Sequence, residues 1–303
     1  MREINDLNEI YTFCKALSSP IRINIIKILM QNRMVNLNEL AEKLGVTNGA
    51  VTSHIKAMHK AGVIDIEHSA GKRGIQKNCF LKDHKFLINT SGEYTNFNTY
   101  EVELPIGSYT RYNISPTCGL ATKATLIGEV DDPRFFDDPR RTDAGILWYT
   151  KGFVEYRIPN YLKPLSALKE IQLSFEISSE APGICDDWPS DIHFYLNEIL
   201  LGVWTSPGDF GSVKGLYTPD WWFPNWNQYG LLKLLTVNNE GTYIDGKKIS
   251  GVKISDFNLN HKSDIIFTFA VPETTSHVGG MTLFGKGFGN YSQDIKVRVI
   301  YLR

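Results

Sequence analysis

The chain has 303 residues, of which 42% are hydrophobic, 21% charged and 12% aromatic, with a formal net charge of −1. That length points to two domains, and the composition is that of a globular protein with enough apolar material for real cores. There is no run of roughly 18 apolar residues such as a membrane helix needs, and the start lacks a basic-then-apolar signal pattern, so a cytoplasmic protein with no membrane partner is expected.

The average charge hides an asymmetry. Residues 1–90 hold 13 Lys and Arg against 8 Asp and Glu, leaving 19 against 25 for the rest. A basic small half joined to an acidic large half suggests that one part meets a polyanion. Cys14, Cys79, Cys118 and Cys185 are scattered, with no C-x-x-C pair and no histidine cluster. Neither a disulfide framework nor a metal or other cofactor is therefore expected.

Four helices read in succession at the start. MREINDLNEIYTF opens an amphipathic helix with Leu7, Ile10, Tyr11, Cys14 and Leu17 on one face. Pro20 suits the first turn of a second helix, IRINIIKILM. Asn36, with Glu39 three residues on, reads as the capping box of a third, which turns Leu37, Leu40, Ala41 and Leu44 inward and stops at Gly45. A three-residue turn then leads to a fourth helix capped by Thr47, the spacing of a helix-turn-helix pair.

In that fourth helix Val51, Ile55 and Met58 form the apolar stripe. The opposite face carries Asn48, Gly49, Thr52, Ser53, Lys56 and Lys60, flanked by His59. Short polar side chains can approach base edges in a major groove while lysines reach phosphates, and the helix N-terminus adds its own positive end. VIDIEH, the turn SAGKRG and IQKNCFL predict a β-hairpin wing, with Lys72 and Arg73 at its tip and Lys77 on the returning strand. The candidate DNA contacts are thus Thr47, Asn48, Gly49, Thr52, Ser53, Lys56, Lys60, Lys72, Arg73 and Lys77. Lysines alone would read as ordinary surface charge; the ordered succession of helices and basic hairpin is what points to DNA.

The run LSSPIRINIIKILM, followed by LNELAEKLGVTNGAVTSHIKAMHKAGVIDIE, resembles the winged helices of the ArsR (arsenical-repressor) family of bacterial regulators over about residues 6–82. Pro20-Ile21-Arg22, Ser53-His54 and Ala61-Gly62-Val63 carry the likeness. The resemblance implies a homodimer, commonly a repressor, with the first helix at the dimer contact. Arg22 matches the family's basic residue in the second helix, and His54 reads as a packing or backbone-bonding residue. The family's metal sensors carry cysteines in the third helix, where this chain reads ELAEKL. Asp83-His84 is followed by strand-like sequence instead of the helix of a second family metal site, and His54 and His59 lie too far round the helix to share an ion. Metal sensing is not expected.

From about residue 90 helical periodicity gives way to short strands and turns rich in Gly, Pro, Asn and Asp. YEVELP, FVEYRIP, IQLSFEIS, IHFYLN, ILLGVW, GVKIS, DIIFTFAV and IKVRVIYL read as strands, Asp245-Gly246 as a two-residue hairpin turn, and only 162–170 and 228–235 as short helices. An antiparallel β-sandwich or jelly roll follows, loosely resembling carbohydrate-binding modules. All six tryptophans lie here, and TPDWWFPNWNQYG gathers five aromatic residues beside planar polar ones. Ring faces with nearby carboxylates and amides suit a sugar. The candidate ligand residues are Asp187, Trp188, His193, Trp204, Asp209, Trp221, Trp222, Asn225 and Trp226. For any one Trp core packing is the simpler reading; for the 221–228 cluster both readings stay open. GTYIDGKK, a phosphate-loop look-alike, reads better as a hairpin, and GKGFG as strand-flanking bends.

The expectation is an α+β multidomain chain: a winged helix-turn-helix over 1–85, a linker over 86–96 and a β-sandwich over 97–303. Its expected function is DNA-binding transcriptional regulation, as a dimeric repressor of a double-stranded operator, with the sandwich sensing a carbohydrate or other small polar effector and no catalytic residues. The alternatives are a glycan-active enzyme using Asp187 and Asp209 as acid and base, or a sandwich that serves only dimerisation.

Overall fold

The computed structural model describes residues 2–4, 6–71, 74–88, 90 and 97–302. Contacts divide the chain into two units, Met1–Thr95 and Asn96–Arg303.

The first unit runs β1 (Arg2–Ile4), α1 (Leu7–Leu17), α2 (Pro20–Met30), β2 (Val35–Asn36), α3 (Leu37–Leu44), α4 (Asn48–Lys60), β3 (Ile64–Gly71), β4 (Gly74–Leu81) and β5 (Phe86–Ile88). Each cap answers an amide left over at a helix start. The side chain of Asp6 accepts from the Glu9 amide at 2.8 Å, Asn36 from Glu39 at 3.0 Å, and Thr47 from Ala50 at 3.3 Å. Gly45, at φ +65°, ends α3 in the left-handed conformation that glycine adopts without strain. The Glu39 carboxylate pairs with Lys43 one turn on, at 3.0 Å. Ile25, Leu40, Val51, Ile55, Met58 and Cys79 meet in one core.

The expected opening into a helix is corrected. Arg2–Ile4 is a strand pairing in parallel with Phe86–Ile88, and the helix starts only after the Asp6 cap. Burial decides this: Ile4 is fully enclosed in the core, and Phe86 is brought to 4.6 Å from the ring of Phe13. β2 was not foreseen either; it adds a third strand to the wing by pairing with β4.

The second unit is antiparallel throughout its named strands: β6 (Asn98–Leu104), β7 (Arg111–Thr122), β8 (Ala144–Ile158), β9 (Ala167–Ser178), β10 (Ser190–Leu196), β11 (Ile199–Ser206), β12 (Leu231–Asn238), β13 (Gly241–Ile244), β14 (Lys247–Ser250), β15 (Ile265–Val271), β16 (Met281–Phe284) and β17 (Ile295–Leu302). One layer runs β11–β10–β15–β8–β7 and the other β6–β17–β9–β12–β13–β14. β16 joins them at one side by pairing with both β8 and β9. At the other side Gly202 of β11 lies against Ile249 of β14, and the Lys233 ammonium of β12 sits 4.5 Å from the Trp204 ring centre. The sandwich is thus nearly closed.

Strand alternation sorts the side chains of β8. Leu147 and Tyr149 enter the main core with Phe175, Phe194, Phe267 and Phe269, while Ile146 and Trp148 join a separate cluster with Trp222, Phe284 and Phe288. Asp245 (φ +49°) and Gly246 (φ +81°) form the hairpin turn between β13 and β14. The short helices expected near 162–170 and 228–235 are not there. Ala167 opens β9, and Leu231–Asn238 is an interior strand between β9 and β13, where paired neighbours override its helix-like leucines. GVKIS is no strand: β14 ends at Ser250, and a 3-10 turn takes Ile254–Phe257.

Candidate functional site

α4 is held from behind and open in front. Val51, Ile55 and Met58 are buried, and His54 takes a 3.4 Å hydrogen bond at Nδ1 from the Arg22 side chain. The same guanidinium donates to the carbonyls of Lys15 and Ala16, so one residue of α2 ties the end of α1 to α4. Thr47, Asn48, Gly49, Thr52, Ser53, Lys56, His59 and Lys60 are all exposed. Nothing lies within 4 Å of where a Gly49 side chain would stand, so that end is slim as well as polar. The Thr52 hydroxyl donates to the Asn48 carbonyl at 2.7 Å. The wing registers His68 opposite Lys77, and Lys77 is exposed on β4. Lys72 and Arg73 lie outside the described residues.

In the second unit the segment 207–229 packs over the outward face of β8. Trp222 (4% exposed) and Trp148 (6%) are core residues of that roof, with Trp226 half-buried beside them. Their ring centres lie 5.0–5.8 Å apart in edge-on contact. The segment is laced by its own polar groups. The Trp222 indole donates to the Asn227 carbonyl and the Trp221 indole to the Lys123 carbonyl, at 2.9 and 2.7 Å. The Gln228 amide donates to the carbonyls of Phe223 and Trp226.

Beneath the roof lies a cavity of about 170 Å³, lined by Trp148, Trp222, Trp226, Asn227, Thr117, Asp131, Glu180 and Asp209 among others. Glu180 follows β9, and its Oε2 accepts from the Thr282 hydroxyl at 2.7 Å and the Asn227 amide at 3.1 Å. Asp209 is placed by a backbone bridge to Cys185 and is 1% exposed. Its Oδ2 accepts from the Ala181 amide at 2.9 Å, while Oδ1 has no hydrogen-bond partner. Burial, with Asp186 nearby, pushes the Asp209 carboxyl up to about 7; burial and the charges of Asp209 and Asp131 hold Glu180 well above the carboxylate range.

The structure therefore brings together Asp209, Trp222 and Trp226 of the expected ligand residues, with Trp221 packed behind them. The others lie elsewhere. Asp187, Trp188 and Asn225 are exposed and outside the cavity. Trp204 lies under Lys233 at the closing edge. His193 bonds Thr275 at 3.1 Å, in a network centred on Asp191 that also takes Thr205 and His277. Burial lowers its imidazole below the usual histidine value. The enzyme alternative is corrected in one respect: the carboxyl that meets Asp209 in the cavity is Glu180, and Asp187 stands in solvent. Sequence reading missed Glu180, Asp131 and Thr117. The visible signal for Glu180 was an acidic residue closing an otherwise buried strand, IQLSFEISSE.

A separate buried acid, Glu176, explains the GKGFG segment. Its carboxylate accepts from the amides of Gly230, Asn290 and Tyr291 at 2.8–3.1 Å, and a side chain at Gly289 (φ +70°) would land on it. Burial raises it to about 8.

Three helices, a tight turn, a fourth helix with a polar outward face and a three-stranded wing make the first unit a winged helix-turn-helix, a DNA-binding domain. Residues 18–65 match the family model described as winged helix-turn-helix DNA-binding. Among solved structures, HlyU from Vibrio cholerae is similar at 17% identity, covering 25% of this chain and 77% of that one, with a TM-score of 0.22. The transcriptional regulator homologue from Pyrococcus horikoshii is similar at 22% identity (25% and 78% covered, TM-score 0.22), and an ArsR family transcriptional regulator at 18% (26% and 76%, TM-score 0.22). No curated protein matches the sequence. Among the described residues no helix is long and apolar enough to cross a membrane, and no cluster of three or more His, Cys, Asp or Glu could hold a metal ion.

Proposed function

We propose that this protein is a cytoplasmic, homodimeric transcriptional repressor of the ArsR kind, reading duplex DNA with α4 and releasing it when the β-sandwich binds a small polar ligand. The outward face of α4 carries the DNA half of this reading. Thr47, Asn48, Thr52, Ser53, Lys56, His59 and Lys60 are polar and solvent-exposed there, with cations toward the C-terminal end, while the apolar stripe is buried. Two such helices, related by a dimer axis, would address half-sites about one turn of DNA apart. Leu7 and Tyr11, exposed on α1 at 44% and 63%, support a partner on that helix.

The aromatic-walled cavity supports the sensing half. It is smaller than the roughly 300 Å³ typical of drug-sized sites, which suits one sugar-sized molecule. We favour binding over glycan cleavage because burial raises both Asp209, to about 7, and Glu180, well above the carboxylate range, so neither of this pair is fully ionised near neutral pH as a nucleophile or base would be. Coupling of about 1–3 kcal/mol between cavity and reading head would weaken operator affinity roughly 5- to 150-fold.

The test is electrophoretic retention of a DNA site selected from a random library with the full chain. Ser53→Glu together with Lys56→Glu should weaken retention by about a hundredfold or more through repulsion from phosphates. Unchanged retention at moderate salt would remove the regulator reading.

A further inference from the structure

The cavity's wall chemistry says more about its occupant than size does. Asp131, Glu180 and Asp209 line it together, and among the described residues no lysine, arginine or histidine does. Asp131 spends Oδ1 on the Cys118 amide and Glu180 spends Oε2 on Thr282 and Asn227. Asp209 keeps one oxygen, Oδ1, with no donor at all although the residue is 99% enclosed. A buried acceptor without a donor is rare, because its lost hydration goes unreplaced. The same lining holds three tryptophans, Trp148, Trp222 and Trp226, and indole rings attract cations.

Resting on the reading of this cavity as the ligand site, we infer that its occupant is a small hydroxylated primary amine of amino-sugar size, seated with its ammonium between Glu180 and Asp209 and its apolar face on Trp226. Such a molecule supplies what the wall lacks. Its N–H groups can donate to the carboxyl oxygens of the lining, and its positive charge favours their ionised forms, which burial otherwise disfavours. A neutral sugar brings donors but no charge to set against the carboxyls. A phosphorylated or carboxylated sugar adds a negative group to a lining that already holds three carboxyls and, among the described residues, no cation.

The experiment is calorimetric titration of the full chain near pH 7, where the amino sugars are mainly ammonium ions, with D-glucosamine, D-galactosamine, D-glucose and glucose 6-phosphate. At least one amino sugar should bind roughly tenfold or more tightly than glucose, and glucose 6-phosphate should give no heat. Asp209→Asn and Glu180→Gln should each weaken the amine by about tenfold while leaving the amine-to-glucose gap smaller. Trp226→Ala, at a half-buried position, should weaken it without changing the fold. Glucose or its phosphate binding as tightly as the amines, or no amine binding at about 10 mM, would overturn the inference. Retention of the selected DNA site, measured in parallel, keeps the two readings apart. Amine binding that leaves retention unchanged upholds this inference and removes the coupling, whereas glucose binding that releases DNA does the opposite.

Discussion

On α4 every group offered to a partner stands in solvent, whereas in the C-terminal cavity Asp209 is buried and Glu180 half-buried, with only Asp131 left exposed. The difference follows from what each would meet. Duplex DNA is a large polyanion whose counterions are displaced by lysines that need only reach it, so an exposed face with a rigid back suffices, and its strength falls with salt. A small molecule offers few contacts, each strengthened by a low-dielectric surrounding, so its site must be enclosed and its strength follows protonation. On the proposed reading, one chain holds a salt-sensitive surface and a pH-sensitive hollow, built on separate cores.

The largest expected effect tests whether those cores are energetically separate. Trp148→Ala removes the floor of the roof cluster, where Trp222 and Trp226 pack edge-on against it. Deleting so large a buried ring should destabilise the second unit by about 3–5 kcal/mol. In calorimetry that corresponds to a fall of roughly 6–20 °C in its transition, with the first unit's transition and DNA retention unmoved. Movement of both transitions together would show one cooperative molecule and dissolve the contrast.

Protonation gives the next effect. Asp209 is raised to about 7 and Glu176 to about 8, both chiefly by burial. In each, the folded chain holds a proton that the unfolded chain has already released above pH ~4. Stability from these groups is therefore fully present below pH ~4 and declines, by about 1.4 kcal/mol per pH unit per group, as pH rises through the folded values. Denaturant unfolding of the second unit should weaken between pH ~5 and ~8, and Asp209→Asn, which cannot ionise, should flatten that decline. A second-unit stability that climbs with pH across this window would mean that burial does not hold these two carboxyls protonated.

How much of this was legible in sequence differs between the units for a physical reason. α4 could be read because helix periodicity separates Val51, Ile55 and Met58 from Ser53 and Lys56 within one segment, and the caps Asn36, Thr47 and Gly45 mark its neighbours locally. The β1–β5 pair was invisible because it joins residues more than eighty apart, and no local pattern records such a pairing. The cavity was half legible. Trp222 and Trp226 announced themselves by composition, but Glu180 reaches the cavity at the end of β9, Asp131 through its ties to Cys118 of β7, and Asp209 through the bridge at Cys185. Asp187 and Trp188, close to that bridge in sequence, were natural choices that the chain turns outward. Proximity along a strand-rich chain says little about which loop residues converge.

The smallest expected effect lies at Thr47, where scaffold and surface coincide. Its hydroxyl accepts from the Ala50 amide at 3.3 Å, yet the residue is exposed at the tip of the reading helix, where phosphate would approach. Thr47→Ala should cost about 1 kcal/mol through the lost cap, seen as a drop of roughly 4–8 °C in the first unit's transition. Thr47→Ser, which keeps the oxygen, should restore it. DNA retention separates the two roles. If Thr47→Ala lowers the transition and DNA retention falls only slightly, the residue serves α4 as a cap. If the transition holds while retention drops severalfold, its hydroxyl belongs to the DNA face, and the rigid back and open front of α4 are less cleanly divided than the geometry suggests.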